Sequence, residues 1–538
     1  MRARTLRLVP LLLAALLVGR LAAVWAARAT FPYDLEWMEG GMLAHAWRLT
    51  HGLPLYTTPG PDWIPYLYPP GYAALLAAAS TVFGLDYSTG RALALLGTLC
   101  AAGAVVHIVA RQGRSWSVAL LSAAAFLGCY PQVGAFYDLV RLDGSLMGLL
   151  AWSLALALDK RRGALATSAL LLAVAFTFKQ NVALLGLPLA AYLWHRDGWR
   201  IGLAWGLTAA VPALAFVAWM QARTHGVFLD YLVATPAAHP VVALRVFPGL
   251  LRDLAAALAP MLAAGTAAWA LTEHRARALS RREVRAAVGL GALLFALDWL
   301  LPQASGSGAL YVWQRLLADG AGGLALVLAA RVGRAHPERS FALGVGGVGL
   351  LMVALMRGHH GGFINVLVPG FWLVCVGAGV ALARSERLGA PSWAISLALT
   401  AQLVFANAAL HPDDLVPTDE DRAAGDALVA ALRGVEGPVL APIAPWLPVQ
   451  AGHKPSFPLI ALWDVAQHKR SPFPGVTQML TRAAQEQHWG AVVTGPRPLD
   501  FALPPSYAHA QTFEPPAGAG YPMTGWRTRP TELLVRTP

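Results

Sequence analysis

Residues 8–41 read LVPLLLAALLVGRLAAVWAARATFPYDLEWMEGG, and the passage from the first part to the second decides the fold class. The segment 8–29 holds 22 residues, of which only Arg20 and Arg28 are charged. At about 1.5 Å per residue it reaches roughly 33 Å, enough to cross a hydrocarbon layer of about 30 Å. Arg2, Arg4 and Arg7 precede it, and the run 23–29 could pass for a signal-peptidase site. Its length favours a first helix that stays in the protein. Directly beyond it come Asp34, Glu36 and Glu39, three carboxylates within six residues.

The same contrast of apolar run and charged loop continues to residue 410. Of 538 residues, 57% are apolar and 13% charged, about half the charge of an ordinary soluble domain. A single soluble globule is excluded, and an all-α polytopic membrane protein is expected. The runs predict thirteen spans, at 7–29, 90–110, 116–133, 138–158, 163–177, 181–195, 199–221, 248–272, 285–302, 309–331, 340–356, 362–384 and 391–410. The segment 71–84 reaches only about 21 Å, so it is expected to lie in the interface or re-enter.

The net charge of +12 sits in short clusters at 2–7, 111–114, 160–162, 196–200, 275–285, 331–339 and 384–387. Placing all of them in the cytoplasm obeys the positive-inside rule. The N-terminus is then inside and the C-terminus outside an inner (plasma) membrane. No continuous basic stripe exists, so nucleic acid is not an expected partner. Cys100, Cys129 and Cys375 stand singly in apolar stretches, in no metal-ligand spacing and no disulfide framework.

This topology leaves 30–89, 223–247 and everything after 410 facing outward. Residues 1–410 read as a membrane domain whose first outer loop is 30–89. Residues 411–538 hold 19 of the 38 prolines and no spanning run, and are expected to form a small extracytoplasmic α/β domain. Pro438-Val439-Leu440-Ala441 and Ala491-Val492-Val493 look like strands, and 419–433 like an amphipathic helix opening on acidic residues.

The charges that do not serve topology are the candidates for chemistry. On a helix, Glu36 and Glu39 would share a face. Asp62, Tyr68 and the turn Pro69-Pro70-Gly71 follow in the same loop, as a plausible lid and floor for a polar substrate carried on a lipid. The other reading of this loop is a solvated acidic segment with interfacial aromatic anchors. Arg91 opens a span on the outer side. Arg141 does the same, flanked by Asp138 and Asp143, and a local Arg141–Asp138 bridge is one reading of that cluster. Lys179-Gln180-Asn181 breaks two short apolar runs, where an ammonium needs an anionic partner such as a lipid phosphate; a structural lysine reaching for the interface is the alternative. Arg315 and Asp319 are spaced to pair with one another. His359-His360 is a metal-like pair without further ligands in sequence, which leaves a divalent ion open as the one cofactor. No Walker loop, Rossmann fingerprint, His-Glu-x-x-His or Gly-x-Ser-x-Gly occurs.

In their order along the chain these motifs resemble the GT-C superfold of polytopic glycosyltransferases, the class of protein O-mannosyltransferases and lipid A aminoarabinose transferases. The matching stretches are Asp34-Leu35-Glu36-Trp37-Met38-Glu39-Gly40, Gly52-Leu53-Pro54-Leu55-Tyr56, Tyr68-Pro69-Pro70-Gly71-Tyr72, Gly90-Arg91, Arg141-Leu142-Asp143, Lys179-Gln180-Asn181 and Gly361-Gly362-Phe363-Ile364-Asn365. The resemblance implies transfer of a sugar from a polyprenyl-phosphate donor to a glycan, lipid or protein acceptor at the outer membrane face, with inversion. It implies a first-loop carboxylate as base, Asp34 first and Glu36 or Glu39 otherwise, since the acids here are spaced rather than adjacent. It also implies that Arg91, Arg141, Lys179 and Gln180, with Asp62 and Tyr68, contact the lipid phosphate or substrate. A secondary transporter or lipid flippase is the competing expectation.

Overall fold

The computed structural model describes residues 7–246, 248–274, 280–299, 309–335, 341–359, 361–467, 470–513, 523–526 and 528–537. Helices dominate: α1 Leu8–Ala29, α2 Glu39–Thr50, α3 Gly71–Phe83, α4 Tyr87–Ile108, α5 Trp116–Leu127, α6 Leu142–Ala157, α7 Arg162–Phe176, α8 Gly186–Asp197, α9 Trp199–Arg223, α10 Pro248–His274, α11 Arg281–Trp299, α12 Ala309–Ala335, α13 Gly347–Gly358, α14 Val368–Arg387 and α15 Ser392–Ala409.

Among the described residues, six helical stretches are long and apolar enough to cross a membrane: Leu8–Ala29, Tyr87–Gly113, Trp199–Arg223, Ala243–Thr272, Ile364–Arg387 and Ser392–Ala409. The expected spans at 116–133, 138–158 and 163–177 fold as the shorter apolar helices α5, α6 and α7. Each ends early for a local reason. The chain after α5 turns through 128–135, α6 starts only after Arg141, and α7 stops before Lys179. Residues 300–302 of the expected span 285–302 lie outside the described residues. The segment 71–84 forms the 13-residue α3. Apolar side chains face outward along these helices, as Leu12, Leu96 and Leu214 do, each at least 60% exposed.

Polar order divides the bundle into two ends. Arg7 meets Ser117 and Glu386. Arg111 pairs with Asp159 at 3.1 Å, Arg196 donates to Asp159 O at 2.8 Å, and Arg384 donates to Gln112 O at 3.3 Å. The basic clusters at 111–114, 160–162, 196–200 and 384–387 therefore gather at one end. The first-loop acids gather at the other, where α4 and α6 begin.

Glycine sets how closely α4 and α6 approach. Gly144 and Gly148 share one face of α6, and a Cβ on Gly148 would lie 2.7 Å from Gly97 O. Only small residues allow two backbones to touch in this way. The contact holds the starts of α4 and α6, which carry Arg91 and Arg141, in fixed register.

Beyond residue 410 come α16 Asp419–Leu432, α17 Leu459–Ala466 and α18 Val476–Gln485, with β1 Val439–Leu440, β2 Ala491–Thr494, β3 Tyr507–Thr512 and β4 Glu532–Arg536. Thr418 and Asp421 close a reciprocal capping box on α16. The sheet order is β1-β2-β4-β3, parallel between β1 and β2 and antiparallel elsewhere. This sheet packs onto the first outer loop. Phe31, Tyr33 and Leu35 share one buried cluster with Leu428, Val429, Val439 and Leu533, so every second residue of the loop is turned toward the C-terminal region.

Candidate active site

The loop 31–38 is fixed before any chemistry is considered. Tyr33 donates to Asp426 Oδ1 at 2.5 Å, Gln450 to Pro32 O at 2.6 Å, and Thr524 N to Leu35 O at 2.9 Å.

Asp34 is 3% exposed. Its Oδ1 accepts from Gly40 N at 2.6 Å and from the Tyr87 hydroxyl at 3.1 Å, while Oδ2 has no hydrogen-bond partner among the described residues. Burial, with the charge of Glu39, pushes its carboxyl well above the ordinary range, and the two hydrogen bonds oppose that push. A side chain at Gly40 would crowd Trp446 and Asp34 at 3.0–3.1 Å.

Glu36 pairs with Arg141 Nη1 at 3.0 Å and accepts from Met38 N at 3.3 Å. Burial lifts its carboxyl to about 7 despite Arg141. Gly525 lies against it, where a Cβ would come within 2.8 Å of Glu36 Cγ.

Glu39 is occupied differently. Arg91 grips it at two points, Nε to Oε1 at 3.0 Å and Nη2 to Oε2 at 2.8 Å. Glu39 also accepts from Val140 N at 2.7 Å and Leu35 N at 2.6 Å. Arg91 further donates to the carbonyls of Arg28, Phe31 and Tyr33 at 2.5–3.0 Å. Both groups are wholly engaged with protein.

Arg141 does not pair with its sequence neighbour Asp138. That carboxylate pairs with Arg28 at 2.7 Å and accepts from Tyr130 at 2.8 Å. Arg141 instead joins Glu36, with Asp143 3.6 Å away, and its Nε and Asp143 Oδ2 are buried without hydrogen-bond partners among the described residues. Lys179 Nζ lies 3.8 Å from Asp143 Oδ1 and 5.9 Å from the Tyr68 ring centroid. Asn365 donates to the same Asp143 oxygen at 3.0 Å. A row of alternating charge, Glu36, Arg141, Asp143 and Lys179, thus runs past the start of α6 and the end of α7, beside Tyr68.

Besides Asp34 and the Glu39–Arg91 pair, Asp62 and Gln180 sit outside this row. Asp62 is 73% exposed at its side chain and pairs with His488 at 2.8 Å, because its loop turns outward onto the C-terminal region. Gln180 donates to the carbonyls of Leu67 and Leu232 at 3.5 and 3.1 Å and ties two outer segments together. Among the described residues no three His, Cys, Asp or Glu are grouped to hold a metal. His359 is bonded to Pro236 O at 3.1 Å, and His360 lies outside the described residues. The side chain of Arg315 does too.

Sequence reasoning missed Asn365 as a partner of Asp143, and it missed Asp464. Asp464 stands on α17, and burial lifts its carboxyl to about 8. Burial pushes the Tyr68 phenol up to about 12, and the charge of Asp464 is among the smaller contributions in the same direction. No spacing in the sequence links 464 to 68.

An apolar groove of about 1100 Å³ opens beside the charged row, lined by Leu55, Pro70, Leu93, Leu149, Phe178 and Trp219 among others. Its walls include Pro70, Ser145 and Phe178, each within two residues of Tyr68, Asp143 or Lys179. The groove thus comes up to the row through chain neighbours of Asp143 and Lys179, while its own charged lining residue is Arg223; Asp143 and Lys179 line a separate, smaller cavity with Asn181 and Asn365.

No family model and no curated protein matches the chain. Among solved structures it is similar to ArnT from Cupriavidus metallidurans bound to undecaprenyl phosphate, at 16% identity over 97% of each chain, with a TM-score of 0.47. The apo state of that protein gives 15% identity and 0.42. It is also similar to the archaeal oligosaccharyltransferase AglB from Archaeoglobus fulgidus, in complex with an inhibitory peptide and a dolichol-phosphate. There the identity is 11%, the coverage 89% of this chain and 69% of that one, and the TM-score 0.41. At such values the likeness carries nothing about substrate. The chemistry rests on this chain's own side chains.

Proposed function

We propose that this chain is a multi-pass membrane glycosyltransferase. It moves a sugar from a polyprenyl-phosphate donor to an acceptor hydroxyl at the outer membrane face. The observation that carries this reading is the Glu36–Arg141–Asp143–Lys179 row, whose chain neighbours Ser145 and Phe178 line the apolar groove. A polyprenyl tail fits an apolar groove between helices, and its phosphate needs cations where the groove meets water.

In this mechanism Asp34 Oδ2 takes the proton of the acceptor hydroxyl. The acceptor oxygen attacks the anomeric carbon from the side opposite the phosphate, so configuration inverts. The bond between that carbon and the phosphate oxygen breaks, and its electron pair leaves with the polyprenyl phosphate. Charge grows on that phosphate as the bond breaks, so preorganised Arg141 and Lys179 act mainly on the transition state. Glu39 and Arg91 hold the loop rather than touch substrate. Thirteen crossings, with the N-terminus in the cytoplasm and residues 411–538 outside an inner (plasma) membrane, are the topology we assign. The gathering of the basic clusters at the opposite end from the acids supports it.

The direct test supplies purified protein in lipid nanodiscs with a polyprenyl-phosphate sugar and follows products by mass spectrometry. Release of polyprenyl phosphate with a glycosylated product is expected. Movement of the intact lipid or of a solute across vesicles, without any covalent product, would favour a transporter instead.

A further inference from the structure

Trp37 stands between Glu36 and Met38 in the first loop, and two tryptophans from the C-terminal region meet it. Its ring centroid is 5.8 Å from that of Trp463 and 6.0 Å from that of Trp526, and those two are 5.9 Å apart. Apolar packing alone would bury such a triad. Here Trp526 is 46% exposed, and the Arg497 guanidinium lies 4.2 Å from its ring centroid.

The polar atoms around the triad are unusual too. Trp463 Nε1 and Thr524 Oγ1 are buried without hydrogen-bond partners among the described residues, and their residues are only 8% and 4% exposed. The neighbouring Asp464 is half-buried, and its carboxylate has no hydrogen bond to a described residue. Native proteins leave few such groups unsatisfied, and a missing polar ligand is one physical reason for them. A sugar ring carries hydroxyls around its rim and an apolar C–H face. It therefore matches aromatic surface edged by unfilled donors and acceptors.

We propose that Trp37, Trp463 and Trp526, with Asp464 and Thr524, form the acceptor subsite, and that the acceptor is a saccharide. This rests on the glycosyltransferase reading. It places the acceptor where the C-terminal region meets the loop beside Glu36.

The experiment uses the full chain in nanodiscs and methyl glycosides of glucose, galactose, mannose and N-acetylglucosamine with their β-1,4-linked dimers. Binding is read by saturation-transfer NMR and tryptophan fluorescence, with no donor present. At least one saccharide should bind the parent, with affinity falling tenfold or more in Trp526→Ala and in Asp464→Asn. Both variants should melt like the parent, Trp526 being exposed and Asn being isosteric. Failure of every saccharide to bind, or equal binding in both variants, overturns the proposal. So does sugar transfer to a Ser/Thr peptide or to a lipid hydroxyl in place of any saccharide. Failure of the glycosyltransferase reading looks different: saccharides bind, and no sugar leaves a polyprenyl-phosphate donor, not even to water.

Discussion

Glu39 and Arg91, 52 residues apart, form a two-point ion pair in which neither side chain is more than 1% exposed. The pair ties the loop after α1 to the start of α4. Removing one partner strands a buried charge, which typically destabilises by about 3–5 kcal/mol. Glu39→Gln should therefore lower the melting temperature and the yield of folded protein in detergent. An unchanged melt with lost transfer would move Glu39 into the chemistry.

Asp34→Asn keeps an oxygen for Gly40 N and Tyr87 to donate to and removes the base. Transfer should fall by roughly 10²–10⁴-fold, while thermal unfolding and membrane insertion stay as in the parent. Retained transfer would shift the role to Glu36.

Lys179→Ala removes a cation next in the chain to Phe178, which lines the groove. A charge-assisted contact is worth about 1.5–3 kcal/mol, and one that strengthens as the phosphate leaves is lost mainly from kcat, so kcat/KM for the donor should fall by roughly tenfold or more. Lys179→Arg should recover part of it. A kcat/KM equal to the parent's would exclude phosphate contact.

Glu36 makes stability depend on pH with a definite sign. Its folded carboxyl is raised from 4.5 to about 7, so between those values the folded state holds a proton that the unfolded state has released. Stability from this group is full below about pH 4.5, falls as pH rises toward 7, and is level above. Melting curves of Glu36→Gln across that window should lack this falling component. If parent and variant trace parallel curves, Glu36 does not titrate there.

Gly148→Leu should separate α4 from α6, because its side chain would have to occupy the space of Gly97 backbone, 2.7 Å from the first added atom. Such overpacking costs about 1–3 kcal/mol. Thermal unfolding and transfer should both suffer, and a parent-like melt would show that the helices can part freely.

The acids of the first loop and the cations Arg141 and Lys179 were legible because charge beside apolar helices is rare and needs a partner. Which partner was not legible. Arg141 and Asp138 are three residues apart, yet Asp138 turns to Arg28, 110 residues away. Glu39 looked equivalent to Asp34 and Glu36 until Arg91 closed on both its oxygens. Asp62 looked like part of the same loop chemistry, but its turn carries it out to His488. Asp464 and the Trp463 and Trp526 rings gave no local signal, since their relation to the first loop exists only after the C-terminal sheet packs on Phe31, Tyr33 and Leu35.

By itself the sequence determined that this is a polytopic helical membrane protein with an acidic first loop, because burial of long uncharged runs is a local property of composition and length. The tertiary structure decided which acids keep a free oxygen, which acid each buried cation meets, and that the C-terminal region reaches the same site. Those outcomes depend on who neutralises whom in a buried setting. Partners there are chosen by the approach of α4 to α6 and by the sheet's seat on the loop, at distances in sequence that no motif spans.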